Sequence, residues 1–160
     1  MTIQVGDRLP SATLTTMTAE GPKPLTTSEL CEGKKVVLFA VPGAFTPTCS
    51  VQHLPGYVEN AQSLKDRGVD AVACVSVNDP FVMGAWGKDR EVGEDLMMLS
   101  DGNGDFTAAI GLEMDGSGFG LGTRSQRYAM IIDDGVVSTL NVESGPGLDV
   151  SSAETILSEL

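Results

Sequence analysis

Residues 36–50 read VVLFAVPGAFTPTCS, and this stretch decides how the rest of the chain is arranged. An apolar run rich in β-branched residues stops at Pro42, a loop containing glycine and proline follows, and Cys49 opens a segment of helical character. The pattern predicts a buried strand, a tight turn, and a helix with a thiol in its first turn. The first N–H groups of a helix have no partner within it, and the helix dipole favours an anion there. Cys49 is therefore predicted to ionise readily to the thiolate, which is the reactive form of cysteine.

Cys49 also has a plainer interpretation, as a small buried apolar residue of the kind that most free cysteines are. The loop before it argues against that interpretation. Two prolines and a glycine shape the backbone there, and Thr46 lies three residues ahead of Cys49, a spacing that can bring its hydroxyl close to the sulfur. The sequence therefore favours a reactive cysteine.

The composition of the chain limits what it can bind. Its 160 residues predict a single domain spanning 1–160. The formal net charge of −12 argues against nucleic acid and anionic membranes as partners, because both select basic surfaces. No apolar run is long enough to span a bilayer.

The thiol and histidine content bears on metals and on location. The chain has one histidine and three widely spaced cysteines, Cys31, Cys49 and Cys74, so we expect no metal site and no cofactor. An odd number of cysteines without a secretory-signal pattern predicts reduced thiols and a cytoplasmic location.

Apolar periodicity and turn residues divide the chain into strands and helices. The predicted strands are an edge strand or hairpin in 3–17, broken at 21–24, and strands at 36–42, 70–77, 96–100, 126–133 and 136–142. The predicted helices begin near Thr26, Cys49, Asp79, Asp105 and Ser151. This order predicts an α/β protein with parallel crossover units followed by an antiparallel hairpin.

Several local features refine this prediction. Thr26 and Ser151 each begin a capping box, with glutamate three residues later. Pro55 should kink or interrupt the helix that follows Cys49, because it lacks an N–H group. Residues 114–123 are rich in glycine and are predicted to form a flexible surface loop.

The central motif resembles that of a known family. The spacing of Pro42, Thr46 and Cys49 resembles the peroxidatic motif of the peroxiredoxins, proline–three residues–threonine–two residues–cysteine. The wider stretches VPGAFTP, CS and HLPG, at 41–47, 49–50 and 53–56, are similar to the peroxiredoxin 5 (type II) subgroup. The resemblance runs nearly the whole length of the chain. It implies a thioredoxin-like fold, with a central mixed sheet and helices on both faces, and a thiol-dependent peroxidase acting on hydrogen peroxide and small alkyl hydroperoxides.

The resemblance also implies catalytic roles for Cys49, Thr46, Arg127 and Pro42. The Cys49 thiolate would attack a peroxide oxygen and become a sulfenic acid, while the Thr46 hydroxyl would interact with sulfur and peroxide. The family's catalytic arginine falls on Arg127, whose guanidinium would favour the thiolate and orient the substrate. Pro42 would shield the sulfenic acid and shape the pocket. Arg124, close by in the chain, is expected to lie on the surface.

The sulfenic acid must then be reduced. In some relatives of this subgroup a second cysteine near the C-terminus forms an intramolecular disulfide, but the corresponding region here, 148–152, reads LDVSS. We therefore expect a one-cysteine mechanism, with glutathione and glutaredoxin or thioredoxin as the external reductant. Cys31, predicted near the surface of a short helix, is a minor alternative, and Cys74 is predicted to lie in the core. The subgroup also implies a homodimer.

Two other functions are left open by the sequence. The first is a non-catalytic thioredoxin-like redox-sensing or interaction module, in which Cys49 oxidises slowly or without turnover. The second is a cysteine hydrolase that uses Cys49 with His53, which lies four residues later and about one helical turn away. The hydrolase lacks an evident asparagine or aspartate to orient the histidine.

Overall fold

A mixed seven-stranded sheet organises the computed structural model, which describes residues 2–145 and 147–160. Its strands are β1 (Thr13–Thr18), β2 (Gly21–Thr26), β3 (Lys35–Ala40), β4 (Ala71–Ser76), β5 (Met97–Ser100), β8 (Tyr128–Asp133) and β9 (Val136–Val142). A separate small hairpin consists of β6 (Glu113–Asp115) and β7 (Thr123–Ser125). The helices are α1 (Thr27–Cys31), α2 (Leu54–Asp66), α3 (Pro80–Asp89), α4 (Asp105–Ile110) and α5 (Ala153–Ser158). None of these described helices is long enough and apolar enough to cross a membrane.

The strand order explains why the sheet is mixed. The strands lie in the order β2-β1-β5-β4-β3-β8-β9. The three central strands β3, β4 and β5 are parallel, whereas β8 pairs antiparallel with both β3 and β9. Parallel neighbours need crossover connections, which α2 and α3 supply, while β8 and β9 are joined by a short turn. This is the predicted combination of parallel units and a late hairpin.

The sheet carries a hydrophobic core on each face. Successive side chains of β3 alternate between the two cores, with Val36 and Leu38 in one and Val37 and Phe39 in the other. Helices α1 and α4 contribute to the first core, and α2, α3 and α5 contribute to the second. A strand buried on both faces reads as a continuous apolar run, which is why 36–41 stands out in the sequence.

Capping residues and turns fix the ends of these elements, as predicted. Thr26 accepts a hydrogen bond from the backbone of Glu29, and the Glu29 carboxylate accepts one from the backbone of Thr26. Asp79 caps α3 with a single hydrogen bond, which its carboxylate accepts from the Val82 N–H group. Asp134 and Gly135 both have positive φ, 48° and 83°, which suits the two-residue turn between β8 and β9.

The predicted break at residues 21–24 is wrong, since this segment forms β2. Pro22 and Pro24 pair with Met17 and Thr15 across the antiparallel ladder. Because β2 is the outermost strand, its prolines remove no hydrogen bond to a further strand. Proline is tolerated at such an edge, which periodicity alone does not identify.

Two other local predictions need correction. Residues 114–123 are not merely a loop, because Met114 pairs with Arg124 in the hairpin of β6 and β7. The cap of α5 is Ser152 rather than Ser151, and its side chain accepts from the Thr155 N–H group. Ser151 is buried and donates its hydroxyl to Glu143 instead, so it is unavailable as a cap.

Candidate active site

Cys49 lies in the connection between β3 and α2. Residues 49–53 form a single π-helical turn, in which the N–H group of Leu54 donates to the carbonyl of Cys49. Pro55 lies just after this turn, within helical backbone that runs from residue 47 to Asp66, and it has no N–H group to donate to the preceding turn. The predicted interruption at Pro55 therefore takes the form of a π turn ahead of an α-helix, and π turns often occur at functional sites.

Arg127 makes the contact that defines this site. Its Nη2 atom donates to the Sγ atom of Cys49 at 3.1 Å, and both residues are buried, with Arg127 only 7% exposed. A guanidinium can only donate hydrogen bonds, so the sulfur acts as the acceptor. Arg127 thus places a fixed positive charge and a hydrogen-bond donor directly against the sulfur.

His53 holds the other side of the same guanidinium. Its Nδ1 atom lies 2.9 Å from Arg127 Nη1, and its Nε2 atom lies 3.1 Å from the carbonyl of Ser151. Since arginine donates and a carbonyl accepts, His53 must be neutral with its proton on Nε2. Burial, reinforced by the charge of Arg127, lowers the pKa of His53 to about 3. Both ring nitrogens are thus engaged away from Cys49, which argues against the cysteine hydrolase.

Thr46 lies in the loop that precedes the cysteine and hydrogen-bonds within it. Its hydroxyl donates to the carbonyl of Gly43 at 2.6 Å, so its lone pairs are left to accept a hydrogen bond. Its own carbonyl accepts from the Ser50 N–H group at 2.9 Å, which ties the loop to the π turn. The hydroxyl therefore does not donate to the Cys49 sulfur.

Pro42 is half-buried and is joined to an arginine that sequence reasoning placed on the surface. The Nη1 atom of Arg124 donates to the Pro42 carbonyl at 3.3 Å, and its Nε atom donates to Leu121 at 2.9 Å. A Cβ atom on Gly43 would lie 2.9 Å from Arg124 Nη1, so a larger residue there would push the guanidinium away from the Pro42 carbonyl. Arg124 is half-buried, so part of its side chain remains at the surface, as predicted, while its guanidinium contacts the loop.

Neighbouring residues hold the loop and the π turn in place. The side-chain oxygen of Asn78 accepts from the Ala44 N–H group at 2.9 Å, and the Trp86 indole donates to the Ser50 hydroxyl at 2.9 Å. Phe45 adopts a positive φ of 65°, which few residues other than glycine do. A loop with this conformation needs such anchors to persist.

The other two cysteines are buried and free. Cys31 is only 2% exposed, so its prediction as a near-surface residue is wrong, and burial raises the pKa of its thiol to about 11. Cys74 lies in the core as predicted, and burial, together with the neighbouring Cys49, raises the pKa of its thiol well above the usual value. Both thiols therefore stay protonated near neutral pH.

Sequence reasoning missed part of the network around Arg127. His53 has a weak sequence signal, its position four residues after Cys49. Glu143 and Ser151, which lie behind His53, have none, because the fold alone brings them there. Within residues 2–145 and 147–160, no group of three or more His, Cys, Asp or Glu side chains is arranged to hold a metal ion.

Known proteins are similar to this chain over nearly its whole length. The Redoxin family profile matches residues 4–157. Peroxiredoxin-2E, chloroplastic, from Arabidopsis thaliana is 52% identical over 162 residues, which cover 99% of this chain and 69% of the relative. The crystal structure of reduced Prx3 from Vibrio vulnificus in complex with H2O2 is 60% identical, with a TM-score of 0.94 over 98% of both chains.

A further structural neighbour bears on the subgroup. Peroxiredoxin 5 from Alvinella pompejana is 37% identical, with a TM-score of 0.80 over 91% of this chain and 92% of its own. The thioredoxin-like mixed sheet and the buried cysteine–arginine pair are thus accompanied by full-length sequence similarity. The chain belongs to the peroxiredoxin family, is similar to its peroxiredoxin 5 members, and is a thiol-dependent peroxidase.

Proposed function

We propose that Cys49 is the residue with which this peroxidase reduces hydrogen peroxide and small alkyl hydroperoxides. Its thiolate attacks one peroxide oxygen, the O–O bond breaks, and the other oxygen leaves as hydroxide or alkoxide, which is protonated by the buffered solvent. Sulfur loses two electrons and becomes a sulfenic acid, while the peroxide becomes water or an alcohol. The observation that carries this proposal is the 3.1 Å contact between Arg127 Nη2 and Cys49 Sγ.

Arg127 has two tasks in this proposal. It stabilises the thiolate before the reaction, and it presents hydrogen-bond donors to the oxygen on which negative charge develops. Its Nε atom is buried and has no hydrogen-bond partner among the described residues. A buried donor without a partner is costly, so this guanidinium keeps one donor unused beside the reacting sulfur.

Thr46 and Pro42 complete the proposed site. The Thr46 hydroxyl donates its hydrogen to the Gly43 carbonyl. Its oxygen can therefore accept a hydrogen bond from the O–H group of a hydroperoxide. Pro42 supplies a ring without an N–H group, so it lines the loop while offering no donor to compete for the peroxide. Its carbonyl is already occupied by Arg124.

We further propose a one-cysteine mechanism with an external thiol. Cys31 and Cys74 are buried, burial holds both as thiols, and residues 148–152 contain no cysteine. A reductant thiolate would attack the sulfenic acid and release water, and a second thiol would then reduce the mixed disulfide. Glutathione with glutaredoxin, or thioredoxin, would supply these thiols in a reducing compartment such as the cytoplasm.

A homodimer is part of the same proposal. Phe45 and Val51 flank Cys49 in the chain and are 52% and 66% exposed. Phe119, which is 88% exposed, lies on the hairpin that Arg124 joins to Pro42. Large apolar side chains exposed around one site favour an interface there. Sedimentation of the wild type beside Phe119→Asp tests it: a dimer that the substitution weakens is expected, and a monomeric wild type would contradict it.

The experiment that tests the catalytic proposal is steady-state peroxide consumption by the wild type and by Cys49→Ser. Each protein is assayed with glutathione and glutaredoxin, and separately with thioredoxin and its reductase. We expect turnover with at least one reductant, and none above background in Cys49→Ser. Wild-type protein that is slowly oxidised but never turns over would instead support the redox-sensing module.

A further inference from the structure

Three residues, Glu143, Ser151 and His53, close a ring of hydrogen bonds with Arg127. The backbone N–H group of Glu143 donates to the Arg127 carbonyl at 2.9 Å, and Ser151 donates to the Glu143 carboxylate. The Ser151 carbonyl accepts from His53 Nε2, and His53 Nδ1 accepts from Arg127 Nη1. The ring therefore begins at the backbone of Arg127 and returns to its guanidinium.

Glu143 is the member that binds the most groups. Its Oε2 atom accepts from the backbone N–H groups of Asp149 and Ser151, both at 2.8 Å, and from the Ser151 hydroxyl at 2.6 Å. Partial burial raises the pKa of the Glu143 carboxyl, but these hydrogen bonds outweigh that effect and lower it overall. One carboxylate oxygen thus fixes the backbone of residues 149–151.

The Ser151 carbonyl connects the backbone that Glu143 holds to the residues beside Arg127. It accepts from His53 and also from the Tyr57 hydroxyl at 2.8 Å. Tyr57 stacks on Phe39 of the central strand, with ring centroids 3.9 Å apart and an angle of 5° between the planes. Since Ser151, His53 and Tyr57 are all buried, a shift of the carbonyl has little room to be absorbed before it reaches Arg127.

We propose that Glu143 is a positioning residue that sets the Arg127 guanidinium against the Cys49 sulfur through Ser151 and His53. Glu143 does not touch the sulfur. It fixes the carbonyl that orients His53, and His53 fixes the guanidinium. The inference rests on the proposed roles of Cys49 and Arg127. It extends the site to Glu143 and Ser151, which lie more than a dozen positions after Arg127 in the chain.

The test uses variants that change the acceptor at position 143 by degrees. Glu143→Ala removes the acceptor, Glu143→Asp keeps the charge but shortens its reach, and Glu143→Gln keeps an oxygen at similar reach without the charge. Two controls loosen the same part of the chain outside the ring. Ser152→Ala removes the cap of α5, and Glu159→Ala removes an exposed carboxylate that accepts from Asn141.

Two measurements are made on each variant. One is the second-order rate constant for oxidation of Cys49 by hydrogen peroxide. The other is the rate of Cys49 alkylation by iodoacetamide as a function of pH, which reports the thiolate without peroxide chemistry. Thermal unfolding confirms that each protein is folded.

Glu143→Ala is expected to lower the peroxide rate constant by about tenfold or more, the scale of a small misplacement of catalytic groups, and to move the alkylation profile to higher pH. Glu143→Asp should also lower the rate constant and move the alkylation profile to higher pH. It provides the test if the alanine variant does not fold. Glu143→Gln should recover most of the rate, and both controls should stay within about twofold of wild type.

Equal rates in Glu143→Ala, Glu143→Asp and the controls would overturn the positioning role, because the contact would then be merely structural. An unchanged alkylation profile in the two slow variants would overturn it as well. Wild-type Cys49 that does not react with peroxide at all is a different failure, which would count against the proposed function itself.

Discussion

Arg127 and Cys49 are 78 residues apart in the chain, yet Nη2 of the arginine donates to the sulfur at 3.1 Å. The antiparallel pairing of β3 with β8 explains this, because it places Ala40 opposite Tyr128. The residue just before β8 therefore lies beside the point where the chain leaves β3 for the cysteine loop. The sheet sets this distance, so substitutions of either side chain should change chemistry more than fold.

Replacement of Arg127 by glutamine should slow peroxide reduction by about 10²–10³-fold, the usual cost of removing one donor to a developing negative charge. Stopped-flow measurement of Cys49 oxidation checks this. Arg90→Gln is a matched control, since Arg90 is exposed and, among the described residues, forms an ion pair only with Asp89 beside it. A rate in Arg127→Gln within threefold of the control would show that the guanidinium does not assist the reaction.

His53 predicts how stability depends on pH. Burial and the charge of Arg127 lower its pKa to about 3, whereas an unfolded histidine has a pKa of about 6.5. Between these values the unfolded state binds a proton that the folded state does not, so the free energy of unfolding falls as the pH decreases from 6.5.

The titration of His53 changes the free energy of unfolding by at most about 1.4 kcal/mol per pH unit. Denaturant unfolding from pH 5 to pH 6.5 measures it, above the range in which most carboxylates titrate. His53→Asn keeps an acceptor for Arg127 but cannot titrate, so its stability should vary less with pH than that of the wild type. Identical slopes in the two proteins would mean that His53 is not held neutral.

The hydrogen bond from Trp86 to Ser50 predicts a stability effect near the reactive cysteine. Ser50→Ala leaves the buried indole N–H group without an acceptor, which costs about 1–3 kcal/mol. Since Trp86 is the single tryptophan, its fluorescence reports both its environment and the unfolding transition. The exposed Ser63→Ala on α2 is the control, and equal stability of the two variants would argue against this bond.

The one-cysteine mechanism predicts that the remaining thiols are dispensable for turnover. Cys31→Ala and Cys74→Ala should each keep peroxide consumption within about twofold, because both thiols are buried and protonated. Each variant leaves a small cavity, so some loss of stability is expected. Mass spectrometry after peroxide treatment gives a second check: a disulfide from Cys49 to either residue would identify an internal resolving step.

Much of the fold could be predicted because local chemistry decides it. The Thr26 cap depends on Glu29 three residues later, and the turn after β8 depends on Asp134 and Gly135. The buried strand at 36–41 can be recognised in the sequence because it is an unbroken apolar run. In each case the deciding groups are neighbours in the chain.

The errors came from groups that are distant in the chain. Pro22 and Pro24 fit a strand only because β2 is the outermost one, and Cys31 is buried because α1 packs on the sheet. Arg124 is half-buried because the small hairpin brings it to the Pro42 carbonyl. Tertiary contacts of this kind leave no local pattern.

The predicted site divides in the same way. Pro42, Thr46 and Cys49 lie within eight positions and form a motif, and Arg127 follows from the family resemblance. The residues that support Arg127 could not be predicted, because Glu143 and Ser151 reach its guanidinium through His53, and only the fold brings these residues together.

The central claim is that the Cys49 sulfur is the nucleophile that attacks the peroxide O–O bond, and a single turnover without reductant tests it most directly. Reduced protein is mixed with one equivalent of hydrogen peroxide, and sulfenic acids are trapped and located by mass spectrometry. We predict one sulfenic acid per chain at Cys49, formed within seconds, and much less in Arg127→Gln over the same time. A Cys49 that stays reduced while peroxide persists, or oxidation that appears first at Cys31 or Cys74, would contradict the account.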